Sequence, residues 1–203
     1  MTTQIQMTAV FIGNESLLVQ CAEIWRQSGH RIQAVVTRSQ ENAKWARDAG
    51  VTVISSDDDL GAALAGLDFD WLLSIANLDM LAQGVLDLPK RGAVNFHDGP
   101  LPSYAGLNAP VWARNYQEPK HGITWHMMAK GADRGDILVQ RMFDISPSDT
   151  ALTLNTKCYE AAIDSFPDLL NILSQDVPPS KPQDFQNRSY FGKSARPAAA
   201  ARL

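Results

Sequence analysis

Cysteine is scarce in this sequence, with 2 in 203 residues, Cys21 and Cys158. They form neither a disulfide framework nor a metal-ligand spacing, which fits a reducing compartment and predicts no metal site. No apolar run approaches the roughly 20 residues of a membrane span, and the polar opening MTTQIQ lacks the pattern of a secretory signal. Charge of one sign is not abundant either: 18 Lys and Arg stand against 22 Asp and Glu, a formal net charge of −4. That balance speaks against a nucleic-acid partner. There is no glycine-rich fingerprint, because the first turn, Phe11-Ile12-Gly13-Asn14-Glu15-Ser16, has one glycine where a dinucleotide site needs three. Glu15 would repel a pyrophosphate there, so Gly13 is read as a turn residue chosen for its dihedrals. Disordered and fibrous classes are excluded by 45% hydrophobic and 20% charged residues. A chain of this length buries roughly 70% of its unfolded surface and needs no covalent staple. The expectation is a cytoplasmic globular domain.

What charge there is, is segregated. Residues 180 to 203 hold Lys181, Arg188, Lys193, Arg196 and Arg202 against Asp184, which leaves the rest of the chain distinctly acidic. The change falls at Val177-Pro178-Pro179-Ser180, a stiff linker composition. Residues 1–176 are therefore read as one catalytic-sized domain, and 177–203 as a linker and tail leading to a domain that is absent or only begun. The alternative is a strap packed back through Phe185, Tyr190 and Phe191.

Within the body, apolar runs rich in β-branched residues alternate with amphipathic ones. The runs at 7–12, 32–37, 51–54 and 71–76 suit strands covered on both faces. Between the first two, Leu17, Leu18, Cys21, Ile24 and Trp25 recur at helical spacing, with Ser16 as the expected cap and Gly29 at the end. Residues 40–49 repeat the idea. This β-α-β-α-β order predicts an α/β fold of Rossmann-like type, with a mostly parallel central sheet and helices on both faces. Further strands are expected at 92–96, 122–128 and 136–143, and a last helix from Asp149 to about Gln175, kinked at Pro167. Such a sheet carries its chemistry outside the carboxyl ends of its strands.

Two polar clusters come after strand runs. In Asn95-Phe96-His97-Asp98-Gly99-Pro100-Leu101-Pro102 the strand alternation puts Asn95 and His97 on one face, about 6.6 Å apart, and Phe96 on the other. An amide beside an imidazole pairs a fixed donor with a group that titrates near neutrality. The second cluster, Gly131-Ala132-Asp133-Arg134-Gly135-Asp136, suits a cation, an oriented imidazole or a plain tight turn. His126 is read as a satisfied structural histidine, and Asp57 to Asp59 as a solvated helix start.

Taken together, Asn-Phe-His at 95–97, a proline-rich loop ending in Gly106, HGITWHM at 121–127 and DRGDIL at 133–138 resemble the formyltransferases that use 10-formyltetrahydrofolate. That family includes methionyl-tRNA, glycinamide ribonucleotide and sugar N-formyltransferases. The stretch NFHDGPLPSYAGLNAPVWA is closer to the amino-terminal formylation domains of nonribosomal peptide synthetases. The usual His-x-x-Leu-Leu-Pro loop is replaced by His97-Asp98-Gly99-Pro100-Leu101-Pro102, which adds a carboxylate next to the histidine. The resemblance implies Asn95, His97 and Asp133 as the catalytic set, with Asp133 setting the tautomer of His97. It implies a folate site formed by Ile75, Ala76, Asn77, Leu78 and Met80 with Met128, Ala129, Lys130, Gly131 and Ala132; Asn77 also suits a helix cap. The implied donor is 10-formyltetrahydrofolate. The acidic body offers no basic face for tRNA, so the favoured acceptor is an aminoacyl unit on a carrier protein among adjoining synthetase modules. Alternatives are a sugar-nucleotide or other small amine, a methionyl-tRNA type of acceptor, a docking module without turnover, and a formyltetrahydrofolate hydrolase.

Overall fold

A computed structural model describes residues 6–195. The first five residues and 196–203, with Arg196 and Arg202, lie outside the described residues. The chain divides into two compact units: one runs to Asn95 and includes Leu170–Val177, and the other comprises Phe96–Leu169 and the segment from Pro178 onward.

The first unit alternates strands and helices: β1 (Thr8–Ile12), α1 (Ser16–Gln27), β2 (Arg31–Val36), α2 (Gln40–Asp48), β3 (Thr52–Ile54), α3 (Leu60–Leu64), β4 (Trp71–Ser74), α4 (Gln83–Leu86) and the first part of β5 (Gly92–His97). β1 pairs in parallel with β2 and β4, β2 with β3, and β4 with β5. The apolar runs become strands because burial on both faces rewards side chains that point either way; all four residues of β4 are buried. β3 is short and half-exposed, as an outer strand can be.

Two details differ from the sequence reading. Ser16 is the first residue of α1 rather than its cap, and Glu15 precedes the helix without a side-chain capping bond. Gly13 is required by space rather than by dihedrals: a Cβ there would stand 1.9 Å from the Ile75 carbonyl oxygen.

The second unit holds the end of β5, then β6 (Ala105–Gly106), α5 (Ala109–Asn115), β7 (Lys120–Met127), β8 (Ile137–Asp144), most of α6 (Ala151–Leu173), a 3-10 turn at Phe185–Asn187 and β9 (Tyr190–Phe191). The main sheet has seven strands in the order β3-β2-β1-β4-β5-β7-β8, parallel from β3 to β5 and antiparallel between β7 and β8. Phe96, on the opposite face of β5 from its polar neighbours, lies 5.2 Å from Trp125. Trp125 in turn packs 5.4 Å from Phe166 and donates its indole N–H to Ser165 Oγ at 3.1 Å. α6 runs on through Pro167.

The tail composition does not produce a free linker in the described residues. Lys181 exchanges two backbone hydrogen bonds with Ile137, and β9 pairs in parallel with β6. Phe191 stacks on Trp112 with ring centroids 4.3 Å apart, whereas Phe185 and Tyr190 remain exposed. No helix among the described residues is long and apolar enough to cross a membrane.

Candidate functional site

The site grows from the carboxyl end of β5. Strand alternation places Asn95 and His97 on the same face, and the chain then turns through Gly99 and a cis Leu101–Pro102 bond into the loop before β6. His97 is 5% exposed and its Nε2 lies 2.8 Å from the Tyr104 carbonyl oxygen. A carbonyl can only accept, so Nε2 carries the hydrogen and the neutral ring leaves Nδ1 as its acceptor. Nδ1 is 3.8 Å from Asp98 Oδ1 and 3.8 Å from Asp133 Oδ2. The backbone of Tyr104 therefore sets the tautomer, a task the resemblance had given to Asp133. Gly99 makes the seat possible, since a Cβ there would meet His97 Nε2 at 2.7 Å and the Ala109 Cβ at 3.0 Å.

Asp133 is gripped from two sides. Its Oδ2 accepts the Gly106 N–H at 2.8 Å, and its Oδ1 lies 3.4 Å from His126 Nε2. Burial pushes this carboxyl toward the neutral form, but the His126 contact, the nearby His97 and the Gly106 N–H outweigh that and hold it well below the ordinary carboxylate range. Asp98 shows the reverse balance: burial dominates and raises it, with His97 and its own backbone N–H opposing and the Asp133 charge adding to the rise. Tyr104, Asn108 and Asp133 all have positive φ, at 61°, 61° and 51°. Left-handed backbone at non-glycine residues concentrates at functional sites, where the surroundings enforce it.

Three partners here had no sequence signal of their own. The Tyr104 carbonyl and the Gly106 N–H are backbone groups, which composition does not reveal. His126, read as a structural histidine, contacts Asp133 and has its Nδ1 2.8 Å from the Met127 carbonyl oxygen. His121 is fully buried, donates from Nε2 to the Asp98 carbonyl at 2.8 Å, and has no hydrogen-bond partner at Nδ1. Burial lowers it to about 4. It fixes the backbone next to His97 from behind, and its place on β7 beside other apolar residues was the available hint.

The residues tied to the folate by resemblance divide between the two units. In the first, Ile75 is buried and donates its N–H to Ile12, and Ala76 has φ 49°. Asn77 does not cap a helix: its Oδ1 accepts from Asp79 N at 3.2 Å and its Nδ2 donates to the Asp79 carbonyl at 3.0 Å, a tight turn well before α4. Leu78 and Met80 are 76% and 71% exposed. Asn77 and Met80 help line a groove of about 360 Å³ together with Ile12, Ser56, Leu81 and Val85. In the second unit, Met128 and Ala132 are half-buried, and Ala129, Lys130 and Gly131 are exposed. Asp59 does cap α3, accepting from Gly61 N at 3.0 Å, and Asp57 pairs with Arg38.

Chemically, the centre offers a buried imidazole with a fixed tautomer, two carboxyls of opposite bias at its free nitrogen, and an amide two residues back on the same strand face. Such a set can move one proton and hold one developing negative charge. Known proteins of similar structure share this fold. Glycinamide ribonucleotide transformylase 1 from Symbiobacterium toebii superposes with a TM-score of 0.77 at 19% identity, covering 90% of this chain and 96% of that one. The N-formyltransferase from Helicobacter canadensis, solved with folinic acid and dTDP-3-aminofucose, gives 0.75 at 18% identity over 93% of this chain and 71% of that one. HypX from Aquifex aeolicus, solved with tetrahydrofolic acid, gives 0.75 at 16% identity; 94% of this chain matches 30% of that one. At such identities the likeness establishes the fold. The family model described as formyl transferase matches residues 7–170, which span both units and contain Asn95, His97 and Asp133, so the chain belongs to the formyl transferase family.

Proposed function

We propose that the chain transfers a formyl group from 10-formyltetrahydrofolate to a primary amine, with Asn95, His97 and Asp133 as the catalytic set. The observation that carries this reading is the seat of His97: Nε2 is committed to the Tyr104 carbonyl, and Nδ1 faces the carboxyls of Asp98 and Asp133 at 3.8 Å. The donor supplies a formyl carbon on N10; the amine nitrogen bonds to that carbon, the bond to N10 breaks, and the proton shed by the amine ends on the departing nitrogen. The Asn95 amide donates to the formyl oxygen as it becomes negative. His97 Nδ1 takes the proton and hands it on, and Asp133, held ionised, balances the charge that appears on the ring. Ile75, Ala76, Asn77, Leu78 and Met80, and Met128, Ala129, Lys130, Gly131 and Ala132, stay with the donor in this reading. The exposed apolar side chains of Leu78 and Met80 suit a flat heteroaromatic ring. In this reading residues 1–176 carry the chemistry, and of 177–203, read from sequence as linker and tail, the described part packs back on the second unit through β9.

The acceptor we favour is an aminoacyl unit on a carrier protein, a preference supported by the synthetase-like sequence around residues 95–113 and by the acidic body. A sugar-nucleotide amine is the second reading, favoured by the dTDP-3-aminofucose complex of the Helicobacter canadensis relative. Mass spectrometry of products formed with 10-formyltetrahydrofolate distinguishes them. Faster formylation of aminoacyl carrier protein than of the free amino acid is expected. Equal rates on both, or formylation of the dTDP-amino sugar alone, would overturn the carrier assignment.

A further inference from the structure

The segment after the double proline grips both the His97 side and the Asp133 side of the centre. One arm is β9. Ser189 Oγ accepts the Tyr104 N–H at 2.7 Å, the Ser189 carbonyl accepts from Ala105 at 3.0 Å, and the Phe191 carbonyl accepts from Leu107 at 2.8 Å. These bonds hold the two backbone groups that the site uses, the Tyr104 carbonyl on His97 and the Gly106 N–H on Asp133. The other arm is Gln183. Its side chain is 8% exposed, and Nε2 donates to the carbonyls of Asp133 at 3.0 Å and Gly135 at 2.7 Å. Arg188 adds a bond to the Ala132 carbonyl at 3.0 Å.

The turn needs such donors. Asp133 sits at φ 51°, a left-handed conformation that an L-residue keeps only when its surroundings hold it there. Both hydrogens of one buried amide converge on the carbonyls that flank Arg134, and they fix the height of the turn from which the Asp133 side chain reaches Gly106 and His97. The segment also bonds to Ile137 and stacks on Trp112, but its contacts concentrate on 103–107 and 132–135, the two stretches that carry the Tyr104 carbonyl, the Gly106 N–H and Asp133.

We propose that residues 181–191 form a positioning strap, and that Gln183 is the positioning residue that holds Asp133 against Gly106 and within reach of His97. The inference rests on the formyl-transfer reading for its purpose, but its geometry can be tested separately.

The test is NMR of the full chain labelled with 15N, comparing wild type with Gln183→Ala and with Gln183→Met, which keeps the length and loses both donors. The Gly106 amide proton reports the Asp133 Oδ2 contact directly, and the His97 ring nitrogens report the carboxyls at Nδ1. The expected result is an upfield move of the Gly106 amide proton, faster exchange of that proton, and displaced His97 ring signals in both variants. A lowered melting temperature with Gly106 and His97 signals unmoved would mean that Gln183 only stabilises the fold, and would overturn the proposal. If the alanine variant fails to fold, the methionine variant carries the comparison. Calorimetry with 5-formyltetrahydrofolate on wild type keeps the two readings apart: absent binding with displaced Gly106 and His97 signals would leave the strap standing and remove its assigned purpose.

Discussion

At the scale of single residues, the site is a contest between desolvation and hydrogen bonding, decided differently at neighbouring groups. Asp133 gains a backbone N–H and a histidine contact and stays ionised, whereas Asp98 is less well served and is raised by burial. His121 is the clearest case, because its pKa falls from 6.5 to about 4 on burial. The unfolded chain then binds a proton between those values that the folded chain refuses, so stability falls as pH drops from 6.5 toward 4, by about 3 kcal/mol in total. Urea unfolding across that range should show this loss in wild type and a flatter profile in His121→Gln. For turnover, Asn95→Ala removes the proposed donor to the developing oxyanion, and should lower kcat by roughly 10²–10³ with folate binding retained. Single-turnover kinetics with a formylated product as readout checks this.

At the scale of elements, most strands were legible because buried parallel strands read as continuous β-branched apolar runs, and β1, β2 and β4 fall within a residue or two of the predicted spans. The Asn-x-His pair was legible because alternation on β5 is a property of any strand. Asn77 misled because an Asx turn and a helix cap use the same side-chain bond to a nearby N–H, and only the conformation of the next few residues tells them apart. The strap was legible only as an alternative to a free tail: its aromatic residues suggested it, and of the three Phe191 stacks inward while Phe185 and Tyr190 stay exposed. Residues 178–191 have no period, and their order comes from pairing with β6, a contact across some eighty positions of sequence that no local pattern encodes. Phe191 is the strap's main anchor, stacked on Trp112 and ringed by Tyr104 and Tyr116. Phe191→Ala should cost about 2 kcal/mol, somewhat less than a fully buried Phe, and should loosen the Tyr104 carbonyl that holds His97. Equilibrium denaturation measures the first effect, and the His97 ring signals the second.

At the scale of the whole chain, TM-scores of 0.75–0.77 and the family match over residues 7–170 coexist with identities of 16–19% to solved structures. Burial constrains volume and polarity rather than identity, so buried strands can diverge in sequence while the fold is kept. The acceptor was the least legible part of the sequence, because net charge excludes one class of partner and no residue pattern names an amine. The proposed formyl transfer stands or falls on the folate donor. Calorimetric titration of the full chain with 5-formyltetrahydrofolate, a stable analogue of the proposed donor, is the most direct test. Saturable one-to-one binding that survives His97→Ala is predicted, because the proposed role of the histidine is to move the proton and not to hold the pterin. No heat and no thermal shift with a folded wild-type chain would contradict formyl transfer from a folate as its function.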